Sequence, residues 1–405
     1  MSRLLIISNN YAPEETGIAP YSTALAQHLV RSGYDVTVIA GMPHYPQWRV
    51  APAYGGRPFS SERHNGVDVL RAWQYVPSRQ SAPQRALHDI TSLFGALQAL
   101  RIDAPDAVIG VVPPLGGGLL ARAAAARFGV PYGLVFQDLV GPGIAQSGVA
   151  GGRIASGARA LERWAVARAS AVAIIAEGFR PYVESLGVPP GRIARVRNWS
   201  HVDAPSADRA EMRARLRILE DAFVCMHAGN MGNKQRLENI IECAQLAAGD
   251  ASSPLFVLMG DGNRRPALES MVAQLRLPNL RMLALQPRET FVDALAAADV
   301  LLVNQQASVV DMSLPSKLTS YFAAGRPVVA AVAPSSETAR EIVASGAGVV
   351  VPADDPTSLL RTLRMFAEQR GLSADLGARG RAYVTRTLSP EACLRGYAPF
   401  LDALV

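Results

Sequence analysis

Short, nearly uninterrupted apolar runs alternate with helix-period segments along almost the whole chain, and this alternation limits what it can fold into. Runs such as RLLIIS (3–8), DVTVIA (35–40), DAVIGVV (106–112), YGLVF (132–136) and AVAIIA (171–176), with shorter ones at 67–71 and 193–196, are too continuously apolar for strands with one wet face. They suit strands covered on both faces. The helical segments between them (17–32, 84–101, 116–128, 153–169, 178–186) supply the cover, so an α/β fold with parallel sheets built from βαβ units is expected. The pattern then restarts, with strands at 223–228, 255–259, 280–284, 299–304, 327–332 and 348–351. Helices are expected near 235–248, 263–275, 288–297, 316–324, 336–344 and 355–369. Between the two sets lies the polar stretch RNWSHVDAPSAD (197–208). We therefore expect one doubly wound domain over 1–200 and a second over 201–387. The tail, 388–405, is expected to form one amphipathic helix over 390–404 that crosses back to the first domain.

Charge and composition narrow the function. Forty Lys and Arg against 34 Asp and Glu give a formal charge of +6, which points to an anionic partner. Aromatic residues make up only 6% and form no stripe with basic ones, so nucleic acid is not expected. A phosphorylated small molecule or an anionic membrane surface remains. The three cysteines have no metal-ligand spacing, and no metal or cofactor is expected. Asp354–Asp355 reads as a helix cap. The first apolar run is too short for a signal peptide. The longest uncharged stretch, 107–121, is too short for a span and is broken by prolines, so a cytoplasmic place is expected. Gly141-x-Gly143 follows a strand, but the third glycine falls at Gly148, which does not fit a dinucleotide loop.

In doubly wound sheets ligands bind outside the carboxyl ends of strands, and the informative motifs sit there. NNYAPEETGIAPYS (9–22) follows the first strand, with Gly17 able to bring backbone amides close to an anion. PHYPQW (43–48) follows the second strand and presents His44 and Tyr45, while Gln137 and Asp138 end the strand YGLVF. His28 and His88 fall inside helices and are expected to be structural. In the second half HAGNMGNKQRLENI (227–240) contains Asn230, Gly232, Lys234 and Arg236, with a helix expected from about Gln235. MGDGNRR (259–265) repeats the arrangement with Gly260, Asp261 and Gly262.

Lysine usage singles out two positions. The chain has 38 arginines and two lysines, Lys234 and Lys317. Each is expected at a helix entrance after a strand, where a bare helix dipole disfavours a cation but a compact ammonium suits a phosphate. In LPSKLTSYFAAGRP (314–327), Leu318, Tyr321 and Phe322 form the buried stripe. Lys317 and Ser320 lie on the other side.

With these motifs assembled, YAPEETGIAPYS, PHYPQW, FQDL, RNW, AGNMGNKQRLENI, GDG and LPSKLTSYFAAGRPVV, the chain resembles glycosyltransferase family 4 over nearly its whole length. It looks most like the branch that makes bacterial exopolysaccharide, colanic-acid and O-antigen sugars. The resemblance implies a GT-B fold, two Rossmann-like domains facing across a cleft, and retaining transfer from a nucleotide-diphospho-sugar without a required metal. It implies donor binding by the second domain and acceptor binding by the first. Lys234 and Arg236 would hold the diphosphate, with Lys317 as a further cation. Asn230, Gly232, Gly260 and Asp261 would line the donor site, and backbone at Leu314, Pro315 and Ser316 would meet phosphate or sugar. Gly17 would reach a phosphate from the first domain. His44, Tyr45, Gln137 and Asp138 would form the acceptor side. Two departures stand out. The family's paired glutamates fall here at Met312 and Ser320, with Asp311 one residue from the first, and its first-domain histidine is replaced by Gln137.

A lipid-linked or oligosaccharide acceptor would place the protein peripherally at the inner face of the plasma membrane. Segment 153–169, with Arg153, Arg159, Arg163 and Arg168 beside Trp164, is the expected contact with anionic lipid. Two rival readings remain: a sugar-nucleotide epimerase on the same fold, and a degenerate transferase acting only as a binding partner.

Overall fold

A computed structural model describes residues 2–78, 82–141, 152–199, 204–250, 252–309 and 316–405. The chain divides into two compact units, one of residues Met1–Asn198 with Cys393–Val405, the other of Trp199–Ala392.

The first unit is built on an eight-stranded sheet in the order β3-β4-β2-β1-β5-β6-β7-β8. Its strands are β1 (Arg3–Ile7), β2 (Asp35–Gly41), β3 (Phe59–His64), β4 (Val67–Ala72), β5 (Ala107–Val112), β6 (Tyr132–Phe136), β7 (Ala171–Ile174) and β8 (Ile193–Arg195). All pairs are parallel except β3–β4. Every residue of β5 and β6 is buried, as their unbroken apolar character requires of strands covered on both faces. β3 was not expected from the sequence: FSSERH has no apolar face, and its residues are exposed or half-buried. Its signal lay instead in the turn Asn65–Gly66, both at positive φ, the pair that closes a two-residue hairpin onto β4.

The second unit is a six-stranded parallel sheet in the order β11-β10-β9-β12-β13-β14. Here the strands are β9 (Val224–Asn230), β10 (Leu255–Asp261), β11 (Leu280–Leu283), β12 (Val300–Asn304), β13 (Val328–Ala331) and β14 (Gly348–Val351). The expected helix 316–324 is present as Ser316–Ala324. Leu318, Tyr321 and Phe322 are fully buried in the core on one side of the sheet, with Met226, Ala228 and Val303.

Two helices of this unit escaped the sequence reading. Arg209–Arg215 is short and mostly charged, capped by the Asp208 carboxylate on the Ala210 N–H. Arg370–Thr387 has little apolar periodicity: its buried side is Leu376 and Tyr383 with the glycines Gly377 and Gly380. A Cβ at Gly377 would stand 2.2 Å from the Gly325 carbonyl oxygen, so only glycine lets this helix lie against the end of Ser316–Ala324. The tail also differs from expectation. It forms two short helices, Pro390–Arg395 and Ala398–Leu401, divided at Gly396, with Pro399 starting the second. Phe400 seats against Gly133 of β6, where a Cβ would come within 2.5 Å of its ring.

The packing of Arg370–Thr387 is open to test. Gly377→Ala should lower stability by about 1–3 kcal/mol through overpacking. Gly371→Ala in the same helix meets no atom within 4 Å and should be neutral or mildly stabilising. Urea midpoints of the two variants check this, and equal midpoints would contradict it.

Candidate active site

The strand order of the second unit reverses direction between β9 and β12, the switch point where a doubly wound sheet opens a crevice. The two strands pair only at Val300↔Cys225 and Leu301↔Met226, then part. Tyr321 fills the gap. Its hydroxyl accepts the Ala228 N–H (2.8 Å) and lies 3.0 Å from the Ala228 carbonyl and 3.4 Å from that of Leu302. His227 is fully buried beside it, with Nδ1 3.3 Å from the Leu302 carbonyl and Nε2 without a hydrogen-bond partner among the described residues. Burial, then the Lys317 charge, pushes the His227 pKa well below its usual value, so the ring is neutral.

Lys317 enters this crevice from the first turn of its helix. It lies off the stripe of Leu318, Tyr321 and Phe322, as expected, yet its ammonium is not on the surface. Nζ is sealed from solvent and has no hydrogen-bond partner among the described residues; the exposure the residue keeps lies elsewhere on it. A methyl group on Gly229 would stand 4.0 Å from Nζ, so the ammonium hangs over the carboxyl end of β9. Burial lowers its pKa to about 8.

Around it the glycine-rich strand ends form the floor. Gly260 is aligned with Gly229 and Asp261 with Asn230. A Cβ at Gly260 would fall 1.8 Å from the Gly229 carbonyl oxygen, so side chains are excluded where β9 and β10 leave the sheet. The Met231 N–H donates to the Asp261 carbonyl (2.7 Å), and the Gly232 N–H to Gln235 Oε1 (3.1 Å). Asp261 uses its carboxylate on the Gly262 N–H (2.7 Å), as a loop cap. Ser320 is buried.

The segment after Gly232 corrects the expected helix start. Asn233–Gln235 is a separate 3-10 turn, Arg236 has φ of 44°, and the α-helix runs Glu238–Ala247. Lys234 is therefore exposed in a tight turn rather than at a helix entrance. Asn304, which the sequence reading missed, holds this turn: its Nδ2 donates to the Gln235 and Arg236 carbonyls (both 2.8 Å) and its Oδ1 accepts from Asn239 (2.7 Å). A polar residue closing the apolar run LLVN was its only signal. The Arg236 guanidinium already faces Glu242 (3.3 Å), Asp354 (3.5 Å) and Glu238 (3.9 Å), while Asp355 caps the helix Pro356–Glu368 through the Ser358 N–H. Asp311, Leu314 and Pro315 lie outside the described residues, and Ser316 begins the helix.

In the first unit a second cavity, of about 690 Å³, opens at the corresponding switch point between β1 and β5. It collects His44, Tyr45 and Asp138 together with Gly17, which the resemblance turns toward the donor phosphate, and adds Trp48 and His88. Glu14 builds it: Oε1 accepts the backbone N–H groups of His44 (2.7 Å) and Tyr45 (2.8 Å), and Oε2 accepts Asn10 Nδ2 (2.8 Å). Burial lowers the His44 pKa, with Nδ1 3.0 Å from the Met42 carbonyl. His88 is structural, its Nδ1 2.7 Å from the Tyr75 carbonyl, but it also lines this cavity. Gln137 is not part of the lining; its Oε1 accepts from Asn198 (2.7 Å). Among the described residues no His, Cys, Asp and Glu side chains gather in a metal-binding group, and the three cysteines are buried and form no disulfide. No described helix is long and apolar enough to cross a membrane.

Two family descriptions match the chain, "Glycosyl transferase 4-like domain" over residues 16–199 and "Glycosyl transferases group 1" over 208–383. The chain belongs to the glycosyltransferases. It is 31% identical over 412 residues to the colanic acid biosynthesis glycosyl transferase WcaI of Escherichia coli, covering 98% of each. Its fold matches that of a sucrose-phosphate synthase from Thermosynechococcus elongatus (TM-score 0.74, 15% identity, 100% and 99% of the chains). It also matches Anabaena HepE solved with UDP (TM-score 0.70, 14% identity, 100% of each). The transferase thus has the GT-B architecture that its motifs imply.

Burial of Lys317 carries a pH signature. The side chain titrates near 10.5 when unfolded and near about 8 in the fold, so the unfolded state holds more protons between those values and stability rises with pH across them. Lys317→Met should therefore raise the melting temperature most below pH 8, with the advantage shrinking toward pH 10. Melting curves of both proteins from pH 6.5 to 10 measure this, and a gap independent of pH would contradict it.

Proposed function

We propose that this transferase retains anomeric configuration while moving a sugar from a nucleotide-diphospho-sugar to a lipid-linked or polysaccharide acceptor in bacterial surface polysaccharide synthesis. It does so without a required metal or cofactor. The second unit takes the donor and the first takes the acceptor. The observation that carries this is the ammonium of Lys317, sealed over the carboxyl end of β9 with no counter-charge among the described residues. A buried cation without a partner is costly unless a ligand completes it, and the diphosphate of a sugar nucleotide has the matching charge.

On this reading the bond from the anomeric carbon to the diphosphate breaks as negative charge gathers on the leaving oxygen. Lys317, already desolvated, neutralises that charge with little reorganisation, which is where electrostatic stabilisation counts most. Lys234, exposed on its turn, supplies a second positive charge, and the backbone at Gly232 and Gly260 admits the phosphates closely. Arg236, engaged by carboxylates, shapes the turn instead. The acceptor hydroxyl bonds to the anomeric carbon on the face the diphosphate leaves, and its proton passes to a diphosphate oxygen. His44, Tyr45 and Asp138 line the cavity assigned to the acceptor. Asp311, Leu314, Pro315 and Ser316 keep the donor roles that the resemblance gives them. A nucleotide donor also agrees with HepE, solved with UDP and with UDP-glucose.

The test is a panel of nucleoside-diphospho-sugars scored by thermal shift, followed by turnover of the best donor with and without EDTA. NMR of the new glycosidic bond reads its configuration. Lys317→Ala should weaken donor binding at least tenfold with no loss of melting temperature, and Lys234→Ala should act the same way more weakly. Donor binding unchanged in Lys317→Ala, or an inverted product, would overturn the reading.

A further inference from the structure

The helix Ala82–Ala99 is apolar on two faces. Leu93, Ala96 and Ala99 pack against the core of the first unit, while Leu87 (47% exposed), Ile90 (51%), Phe94 (59%) and Leu97 (40%) face solvent. At 100° per residue these four fall within an arc of about 80°, a continuous stripe about 15 Å long. Trp73, 51% exposed, extends the stripe sideways, since its backbone carbonyl packs against Gly95 of the same helix. We propose that this stripe docks the protein on an anionic lipid bilayer, with the apolar side chains in the headgroup–acyl boundary.

Three features favour a bilayer over another protein copy. The exposed apolar area is on the order of 500 Å², the size of the largest and often functional patch on a typical monomer, and below the roughly 800 Å² per partner that a stable dimer buries. Its border is cationic: Arg49 is exposed in the depression that Trp73 lines, Arg85 starts the helix and Arg101 follows it, against Asp89 alone on the helix. Leucine, phenylalanine and tryptophan bordered by arginine is the composition of a helix lying in a membrane interface. The same helix also supplies His88 and Arg85 to the wall of the 690 Å³ cavity. One element would thus set the acceptor cavity beside the bilayer that carries a lipid-linked acceptor. The purpose rests on the proposed acceptor; the binding itself rests on the stripe.

This moves the contact away from the segment expected from sequence. In the helix Gly152–Val166, Trp164 is stacked under the Arg122 guanidinium at 4.0 Å, and Arg159 donates to Ser185 (3.2 Å). Those groups are engaged within the protein.

Vesicle flotation decides between the two faces. The intact protein should float with vesicles containing phosphatidylglycerol and much less with pure phosphatidylcholine. Phe94→Glu/Leu97→Glu should reduce the bound fraction at least tenfold, and the milder Phe94→Ser/Leu97→Ser should reduce it in the same direction. Arg159→Glu/Arg163→Glu should change it less than twofold. Melting temperature and the donor-induced thermal shift, read on the same preparations, should stay at parental values in all variants. Parental flotation in the Phe94/Leu97 variants overturns the proposal, as does a parent that fails to float while still shifting with donor. A parental dimer in sedimentation that these variants dissociate overturns it too, by assigning the stripe to a second copy. None of these outcomes alters the donor-site reading, which the thermal shift reports separately.

Discussion

Lys317 holds an ammonium where the described residues offer no counter-charge, and much of the second unit is arranged so that it can stay there. The parting of β9 from β12 makes the crevice, and the Tyr321 hydroxyl satisfies backbone groups that the interrupted ladder leaves open. Gly229 presents no side chain under the ammonium, and His227 behind it is kept neutral, so a second positive charge is not added to the first. Each of these features costs stability or ladder hydrogen bonds. Together they leave a desolvated positive charge, the condition under which, on the proposed reading, a single charge acts most strongly on a departing diphosphate.

The opposite end of the same strands shows what a purely structural buried cation looks like in this protein. Arg213 is nearly inaccessible, and its guanidinium donates to the carbonyls of Ala297 and Ala222 and to Asp299. Asp299 in turn accepts the Val224 N–H at the start of β9. There the charge is paired and hydrogen-bonded throughout, as buried charges must be when they serve only the fold. At the carboxyl ends no corresponding partner stands among the described residues, and the difference between the two ends is the physical argument for a ligand.

Most of this architecture was legible in the sequence because fully covered parallel strands announce themselves as continuous apolar runs. Elements without that signature were not. β3 has no buried face, and the helix Arg370–Thr387 buries only two large side chains, Leu376 and Tyr383, beside the bare backbone of Gly377 and Gly380. The candidate site divides the same way. Lysine scarcity marked Lys234 and Lys317, but one-dimensional spacing could not say that the first would be exposed on a tight turn and the second sealed inside. Asn304, which fixes that turn, carried almost no local signal, because its role depends on carbonyls about 70 residues away in the chain. His88 was placed correctly in a helix and as structural, yet only the fold brings it to the cavity of the first unit.

The central claim is that the Lys317 ammonium is the counter-charge of the donor diphosphate. Calorimetry of nucleoside-diphosphate binding at pH 8.5, in two buffers of different ionisation enthalpy, tests it most directly. With a free pKa of about 8, Lys317 is partly neutral at that pH and must regain its proton when the anion arrives. The account predicts uptake of a substantial fraction of a proton in the parent and none in Lys317→Met. Tight binding with equal heats in both buffers, and no change on substitution, would contradict it.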